Sequence, residues 1–332
     1  MTSPQQIEIL DLRHFSAKQL RHLLEQEADL WFRRLRWDYR SSTELLLQYL
    51  DSRILPGFVA LDRGRVCGYT FCVYEGHKAV IGDLYASAEH PAPLDVSHSL
   101  AHHMLETLNG SPDIERIESQ LLLFDSGTLT PAFANLNPNR PAFSAFPRLF
   151  LERNLTPHTA PPPPPVPADL ELCVWNASFY QPSAELIQRA YQGHIDSTIN
   201  DQYRSLAGSL RFLHNVVRFP GCGTFDPQSS WVLRDRKTRA LAGVILCSRV
   251  APDVAHVTQL CVAPAYRSRR LGALLLNVCL ARIAQHRYVA LTLTVTEANI
   301  AATKLYAASG FTTRHRFDAL VLDKKPHRLR LV

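Results

Sequence analysis

The sequence has 332 residues, of which 46% are apolar and 20% are charged, and its formal net charge is +6. This composition excludes a disordered chain, and the length is sufficient for two hydrophobic cores of ordinary size. No segment approaches the roughly 20 apolar residues of a membrane span, and the first residues lack the basic and apolar regions of a signal peptide. We therefore expect a cytoplasmic protein without membrane association.

Charge is distributed unevenly along the chain. Residues 1–160 contain 15 Lys and Arg against 19 Asp and Glu (net −4), whereas residues 161–332 contain 21 against 11 (net +10). An uneven solvated surface is one explanation, and a polyanionic ligand of the second half is another. Nucleic acid is also a polyanion, but the sequence has no RNA-binding aromatic motif, zinc finger or basic tail, so nucleic-acid binding is not expected.

Cysteine and histidine spacing predicts no metal site. The seven cysteines are odd in number, lie mostly in apolar patterns and include no Cys-x-x-Cys pair. We interpret them as buried thiols rather than disulfides or zinc ligands. His102 and His103 are adjacent on a helix predicted over 97–108, where neighbouring side chains point in different directions.

A proline run divides the chain nearly in half. Five consecutive prolines, 161–165, are followed by Val166 and Pro167. Such a run adopts an extended, semi-rigid conformation. The sequence therefore predicts one domain over 1–160, a linker over 161–167 and a second domain over 168–332.

The two halves resemble each other. Tyr-Arg-Ser at 39–41 recurs at 203–205, an offset of 164. Further on, residues 79–84 (AVIGDL) correspond to 255–260 (AHVTQL), an offset of 176. The common order and the nearly constant offset indicate a duplication, so we expect two copies of one fold.

The second half contains two features whose function the residues alone leave open. Residues 193–203 form an unusually polar segment inside a predicted helical region, which is typical of a solvated connection between helices. Cys222 lies in the glycine-rich loop 219–223 without a recognisable His or acid partner. We interpret Cys222 as a structural thiol.

A basic turn joins a strand to a helix in the second half. The apolar run 257–262 is followed by Pro264, the turn Arg-Ser-Arg-Arg-Leu-Gly at 267–272 and an amphipathic helix predicted over 273–284. The start of a helix presents unpaired N–H groups and a positive dipole end. Three arginines at that position predict an anion site, most plausibly for a pyrophosphate.

These residues resemble the Gcn5-related N-acetyltransferase (GNAT) family. Its acyl-CoA turn reads Gln/Arg-x-x-Gly-x-Gly/Ala, and here Arg267 and Gly272 match the first and last positions. Arg270 stands where the middle glycine usually lies, which departs from the family pattern. The departure matters because arginine tolerates a positive φ poorly. A second family signature follows the next strand, as Asn-x-x-Ala-x-x-Leu-Tyr-x-x-x-Gly-Phe over 299–311.

The resemblance implies an α/β (α+β) fold of two tandem GNAT-like domains, each with a central mixed, mostly antiparallel twisted sheet flanked by helices. It implies acetyl-CoA as co-substrate, without a metal. It also implies a strand bulge near Gln259–Val262, whose backbone donates to the oxyanion and pairs with the pantetheine arm. The residues expected to bind the cofactor are Leu260, Cys261, Val262, Arg267, Ser268, Arg269, Arg270, Leu271, Gly272, Ala273, Asn299, Ala302 and Tyr306.

The resemblance also implies catalytic and acceptor residues. Tyr306 occupies the position of the proton donor to the leaving thiolate. His256, eleven residues before Arg267, is a candidate general base, with water or remote groups as the alternative. The polar segment would wall the acceptor pocket, and its residues expected to contact the acceptor are His194, Asp196, Asn200 and Tyr203.

The first copy lacks this machinery in the register of the repeat. Where the second half has the basic turn, the first has Pro-Ala-Pro-Leu-Asp-Val at 91–96, with two residues that cannot donate an N–H and one acid. We therefore expect a degenerate first domain that is structural or shapes the acceptor cleft.

The sequence favours an N-acetyltransferase that transfers an acyl group from acetyl-CoA to a small polar amine by direct attack. A protein acceptor stays open. The alternative is a non-catalytic acyl-CoA sensor or interaction protein, in which the cofactor grip survives without turnover.

Overall fold

The computed structural model describes residues 7–134, 143–155 and 165–324. These residues fall into two compact units, the first drawn from 1–34, 39–147 and 316–332 and the second from 35–38 and 148–315. Most of the predicted linker, residues 161–164, lies outside the described residues. Within them, no helix combines the length and hydropathy needed to cross a membrane.

Before residue 135, the first unit has the order strand, two helices, three strands, helix, strand, helix. These elements are β1 (Glu8–Asp11), α1 (Ala17–Leu35), α2 (Arg40–Asp51), β2 (Gly57–Asp62), β3 (Arg65–Glu75), β4 (Lys78–Ala86), α3 (Pro93–Gly110), β5 (Arg116–Gln120) and α4 (Thr130–Ala134).

From its second strand onward, the second unit follows this order with one additional short helix and one additional short strand. Its elements are β6 (Ser144–Asn154, from residue 148), β7 (Leu170–Val174), α5 (Tyr180–Tyr191), α6 (Ile195–Ile199), α7 (Leu206–Arg218), β8 (Thr224–Phe225), β9 (Trp231–Asp235), β10 (Leu241–Ala251), β11 (Val254–Val262), α8 (Leu271–Gln285), β12 (Ala290–Thr296) and α9 (Ile300–Ala308). The final strand, β13 (Thr312–Asp323), contributes its residues from 316 onward to the first unit.

The sheet of the first unit is mixed and mostly antiparallel. Its strands lie in the order β1-β2-β3-β4-β5-β13, and only the β4–β5 pair is parallel. Helix α3 packs on one face through Leu100, Met104 and Leu105, all of which are buried with Leu84 of β4. Apolar side chains at helical spacing thus close one face of the sheet.

The sheet of the second unit has the same character. Its strands lie in the order β6-β12-β11-β10-β9-β7, β8 pairs with β10, and only the β11–β12 pair is parallel. Helix α8 covers one face, with Leu275 and Ile283 in the core. Helices α5 and α7 cover the other face, with Ile187 and Leu213 buried. The predicted fold class is confirmed.

The two sheets have a β-bulge and the end of parallel pairing at corresponding positions, separated by the repeat offset. The β3–β4 pairing skips Gly82, and the β10–β11 pairing skips Thr258, so each central strand carries a β-bulge. Parallel pairing also ends at corresponding places, after Ile81 in β4 and after Val257 in β11. Gly82 and Thr258 differ by 176 positions, the offset seen between 79–84 and 255–260.

Candidate active site

A cavity of about 660 Å³ opens in the second unit. Its wall is formed by the end of α5, the end of β11, the basic turn, the start of α8 and one side of α9. Every predicted cofactor residue except Arg269 lines it. Residues outside that prediction also line it: Ala190, Tyr191, His194, Tyr266, Ala301 and Leu305.

The cavity begins where β11 separates from β12. Pairing with β12 ends at Val257, and the bulge at Thr258 follows. The bulge therefore lies one residue before the segment where we predicted it. Beyond it, Leu260 and Val262 pack towards α8 and Cys261 packs towards α5 and α7, and all three line the cavity.

The basic turn is built from two residues in the left-handed conformation. Ser268 has a φ of 63° and Arg270 a φ of 57°. Arg270 is also the N-cap of α8, and its side chain makes no capping hydrogen bond. The arginine thus adopts the conformation for which the family usually employs glycine, at a cost of about 1–2 kcal/mol. The departure in sequence leaves the turn intact.

The first turn of α8 is open on the side of the cavity. A Cβ added at Gly272 would contact only the Leu305 side chain, at 3.4 Å. Since glycine has no Cβ, this space beside the start of the helix is open. Backbone N–H groups at the start of a helix have no partners within that helix. Gly272 therefore gives a ligand access to these donors.

The three arginines of the turn have different environments. Arg267 lines the cavity and donates to the carbonyl of Ala190 at 2.7 Å. Arg270 also lines it. Arg269 instead donates twice to the Asp169 carboxylate, at 2.9 and 2.7 Å, and lies over the ring of Tyr266. This ion pair holds the guanidinium outside the cavity, and the contact of Arg269 with the cofactor stays a prediction.

The start of α9 faces the cavity. Asn299 is the N-cap, and its side-chain oxygen accepts from the backbone N–H of Ala302 at 3.2 Å. Both residues line the cavity. Asn299 therefore acts as a helix cap, as its residue type favours.

Tyr306 lines the same cavity. The side chain is 7% exposed and packs against Phe311. Burial raises the pKa of Tyr306, and the charges of Asp196 and Cys261 add to this effect. The hydroxyl consequently stays protonated near neutral pH and is able to donate a hydrogen bond or a proton.

The structure does not bring His256 to the cavity. Its ring is 6% exposed and packs beside Trp37 and Phe150, at 4.9 and 5.7 Å between ring centres. Nδ1 lies 2.8 Å from the Thr292 hydroxyl. Burial, with a contribution from the charge of Arg148, lowers the pKa of His256 to about 3. The prediction of His256 as the general base is not supported, because the ring faces the core.

The polar segment is divided between the cavity and its own caps. His194 lines the cavity and is the N-cap of α6, accepting at Nδ1 from the backbone N–H of Asp196 at 3.2 Å. Asn200 caps the next helical turn by accepting from the N–H of Gln202 at 3.0 Å. Tyr203 stacks on Tyr191, with ring centres 4.4 Å apart. Of the four predicted acceptor residues, only His194 lines the cavity.

Tyr191 is the main residue that the sequence reasoning missed. It lines the cavity, and its hydroxyl donates to Gln259 Oε1 at 3.1 Å. Tyr191 ends an amphipathic helix, where an aromatic side chain usually indicates core packing. The signal available in the sequence was the repeat. An offset of 164 places Tyr191 at the position of Glu27, which is another residue with a polar group.

Within residues 7–134, 143–155 and 165–324, no group of three or more His, Cys, Asp or Glu side chains could hold a metal ion.

Residues 197–311 match the sequence model described as the acetyltransferase (GNAT) family. This range includes the bulge, the basic turn, Asn299 and Tyr306. Residues 197–311 therefore belong to the GNAT family. No curated protein matches the chain in sequence.

Solved structures resemble the chain over nearly its whole length. A GCN5-related N-acetyltransferase from Sphaerobacter thermophilus has a TM-score of 0.66 at 13% identity, covering 98% of both chains. A tandem GNAT protein from the clavulanic acid biosynthesis pathway has a TM-score of 0.60 at 17% identity, covering 97% of this chain and 99% of that one. At such identities these likenesses show the fold alone.

The GNAT fold supports acyl transfer in general, and the family uses acetyl-CoA as co-substrate. The GNAT domain of this chain has the cavity, the turn and the buried tyrosine in one place. Among the described residues that line the cavity, none is an Asp or Glu, and Arg267 and Arg270 lie at the basic turn.

Proposed function

We propose that the protein is an acetyl-CoA-dependent N-acetyltransferase acting on a small polar amine. The observation that supports this is one cavity lined by both the basic turn and Tyr306. A volume of about 660 Å³ lies in the usual range of ligand pockets.

The turn is proposed to bind the pyrophosphate of acetyl-CoA. The N–H groups at the start of α8 and the positive end of its dipole favour an anion there. Arg267 and Arg270 add positive charge, and Gly272 removes the side chain that would block close approach.

The separated end of β11 is proposed to bind the pantetheine arm and the acyl carbonyl. Since pairing with β12 ends at Val257, the backbone of Leu260–Val262 is left to pair with a ligand along the cavity. An N–H of this segment would donate to the oxyanion that forms when the amine attacks.

The reaction is proposed to proceed by direct attack. The amine nitrogen forms a bond to the thioester carbon, the oxyanion collapses, and the carbon–sulfur bond breaks. The leaving thiolate takes a proton from the Tyr306 hydroxyl, which its buried setting keeps protonated. The chemistry needs no metal ligand from the chain.

We propose that only the second unit binds the cofactor. In the first unit, α3 begins with Pro93, and the N–H of Ala92 already donates to His90 Nδ1 at 3.1 Å. Val96, which corresponds to Gly272 in the repeat, is fully buried. Asp95 in the first turn of α3 would repel an anion. The first unit is proposed to be structural or to shape the acceptor cleft.

Titration calorimetry with acetyl-CoA tests the cofactor site. Wild type should bind, and Gly272→Val should weaken binding at least tenfold because its branched side chain covers the donors of α8. Gly110→Val, at the end of α3 with no heavy atom within 4 Å of an added Cβ, is the control for an unrelated glycine and should leave the affinity unchanged. Equal affinity of the Gly272 variant would contradict the placement of the ligand.

A non-catalytic acyl-CoA sensor is the second candidate, since the turn and cavity alone suffice for binding. Release of free thiol from acetyl-CoA that depends on an added amine separates the two functions. Binding without such release for any amine supports the sensor.

A further inference from the structure

Tyr191 is held rigidly at the wall of the cavity. It is the last residue of α5 and lines the cavity. Its hydroxyl donates to Oε1 of Gln259 on β11 at 3.1 Å. Its ring stacks on Tyr203, with ring centres 4.4 Å apart and planes 20° from parallel, and lies edge to face with the His194 ring at 5.2 Å. A ring that is fixed at its hydroxyl and packed against two neighbouring rings has little freedom to change its position.

The main chain that carries this ring is fixed as well. The carbonyl of Ala190 accepts a hydrogen bond from the Arg267 guanidinium at 2.7 Å. The carbonyl of Tyr191 accepts one from the backbone N–H of His194 at 3.0 Å. Carbonyl groups in the last turn of a helix have no partners within that helix, so these two bonds hold the end of α5. Displacing the Tyr191 ring would therefore break contacts of its side chain or of its backbone.

Tyr191 adjoins the part of the cavity where the acyl group is proposed to lie. Gln259, which accepts from its hydroxyl, directly precedes Leu260–Val262, the segment proposed to bind the acyl carbonyl. Burial raises the pKa of Tyr191 well above its ordinary value, and nearby ionisable groups that include Cys261 and Tyr306 add to this effect. Cys261 and Tyr306 both line the cavity. The Tyr191 ring therefore lies near the reacting end of the proposed acyl-CoA site.

We propose that Tyr191 sets the length of the acyl group, with its fixed ring forming a wall that admits an acetyl group and excludes longer chains such as butyryl. The proposal rests on the proposed acetyltransferase function, because it requires an acyl-CoA in this cavity. It names the class of donor, a short-chain acyl-CoA. A packed interior is not readily compressed, so a longer chain that reaches the ring has to displace it from Gln259 and Tyr203.

Binding of an acyl-CoA series tests the proposal without an acceptor amine. Calorimetric titration of the full chain gives the Kd for CoA, acetyl-CoA, butyryl-CoA and hexanoyl-CoA. In wild type, we expect butyryl-CoA and hexanoyl-CoA to bind at least about tenfold more weakly than acetyl-CoA, which is the lower end of the discrimination that one methylene provides in an apolar pocket. Tyr191→Ala should remove this penalty, because the longer chains then occupy the space of the ring and pack beside Tyr203.

Further variants separate control of chain length from other roles of the ring. Tyr191→Phe keeps the ring and its stacking and should keep the preference for acetyl-CoA. Tyr191→Leu keeps apolar volume against Tyr203 but reaches less far, and should bind butyryl-CoA as tightly as acetyl-CoA. This variant keeps the proposal testable should the alanine variant fail to fold.

Tyr180→Ala is the matched control for the loss of a tyrosine side chain. Tyr180 lies on the same helix, donates its hydroxyl to the carbonyl of Leu210 at 3.1 Å and does not line the cavity. Its replacement should leave the ratio of the Kd values for butyryl-CoA and acetyl-CoA unchanged.

The proposal is overturned if wild type binds hexanoyl-CoA as tightly as acetyl-CoA. It is also overturned if Tyr191→Ala or, where that variant does not fold, Tyr191→Leu weakens binding of CoA, acetyl-CoA and hexanoyl-CoA by the same factor, since the ring would then support the pocket without contacting the acyl chain. Wild-type protein that binds none of these CoA compounds would instead contradict the proposed function, so the two failures are distinguishable.

Discussion

Two carboxyl groups are buried together in the first unit, and their replacement gives a clear test of its energetics. Glu27 of α1 is fully buried and Asp83 of β4 is 4% exposed. The Tyr69 hydroxyl and the Trp31 indole N–H donate to Glu27, and the Tyr39 hydroxyl donates to Asp83 at 3.1 Å. The charge of Asp83 acts on Glu27 in this buried place, so we expect the pair to share one proton near neutral pH.

Burial raises the pKa of Glu27 well above its ordinary value, and the neighbouring Asp83 charge raises it further. Burial also raises the pKa of Asp83. A raised pKa means that this stabilisation is complete below the unfolded value near 4.5 and is lost as the pH rises through the folded value. Stability of the first unit should therefore decrease from mildly acidic towards alkaline pH.

Glu27→Gln keeps a side chain of the same size that can still form hydrogen bonds, but it cannot ionise. Relative to wild type, we expect its free energy of unfolding to gain about 1–3 kcal/mol between pH 5 and pH 8.5, the typical cost of an uncompensated buried polar group. Urea denaturation across this pH range measures the difference. Glu25→Gln, on the exposed side of the same helix, is the matched control.

A wild-type stability that does not change between pH 5 and pH 8.5 would refute the shared proton. So would a Glu27→Gln variant whose stability follows the wild-type pH dependence in parallel.

Three further predictions concern the second unit. Tyr306→Phe should lower kcat by about 10²-fold or more while acetyl-CoA affinity is retained, because a proton donor acts as the thiolate forms; stopped-flow turnover with calorimetry checks this, and equal kcat would reduce Tyr306 to packing. Arg270→Gly should raise the free energy of unfolding by about 1 kcal/mol in urea, because glycine relieves the left-handed conformation, yet should weaken acetyl-CoA binding by removing a positive charge; a destabilised variant would contradict the strain. His256 stays neutral in the folded state down to about pH 3, so the free energy of unfolding should fall as the pH drops below the pKa of an unfolded histidine, near 6.5. His256→Phe should reduce this pH dependence of stability and leave kcat unchanged. Loss of the acid limb from the activity profile of this variant would instead indicate that His256 is the base.

The fold and the cofactor side of the site could be predicted because their signals are local in sequence. A glycine at the start of a helix, an asparagine cap and an apolar period each act within a few residues. The left-handed turn formed with arginine at position 270 because its cost, about 1–2 kcal/mol, is small against the packing of α8.

Features that depend on distant contacts could not be predicted. The Arg269 guanidinium lies outside the cavity because it pairs with Asp169, which is 100 residues away in sequence. His256 was placed by counting along a strand whose faces alternate, and counting cannot tell which face is covered by Trp37 and Phe150. The hydrogen bond from the Thr296 hydroxyl to Asp196 likewise joins residues 100 positions apart.

The repeat offsets allow corresponding positions of the two units to be compared in the layer beside the proposed site. The repeat offsets place Glu27 at the position of Tyr191 and Asp83 at that of Gln259. In the first unit the Tyr69 hydroxyl and the Trp31 indole N–H donate to Glu27, and the Tyr39 hydroxyl donates to Asp83, so this layer is closed by its own hydrogen bonds. In the second unit Tyr191 satisfies only the oxygen of Gln259, which leaves Nε2 without a partner. The second unit therefore has a buried hydrogen-bond donor still available to a ligand, whereas these side chains of the first unit already have partners. Acceptor binding should consequently belong to the second unit alone.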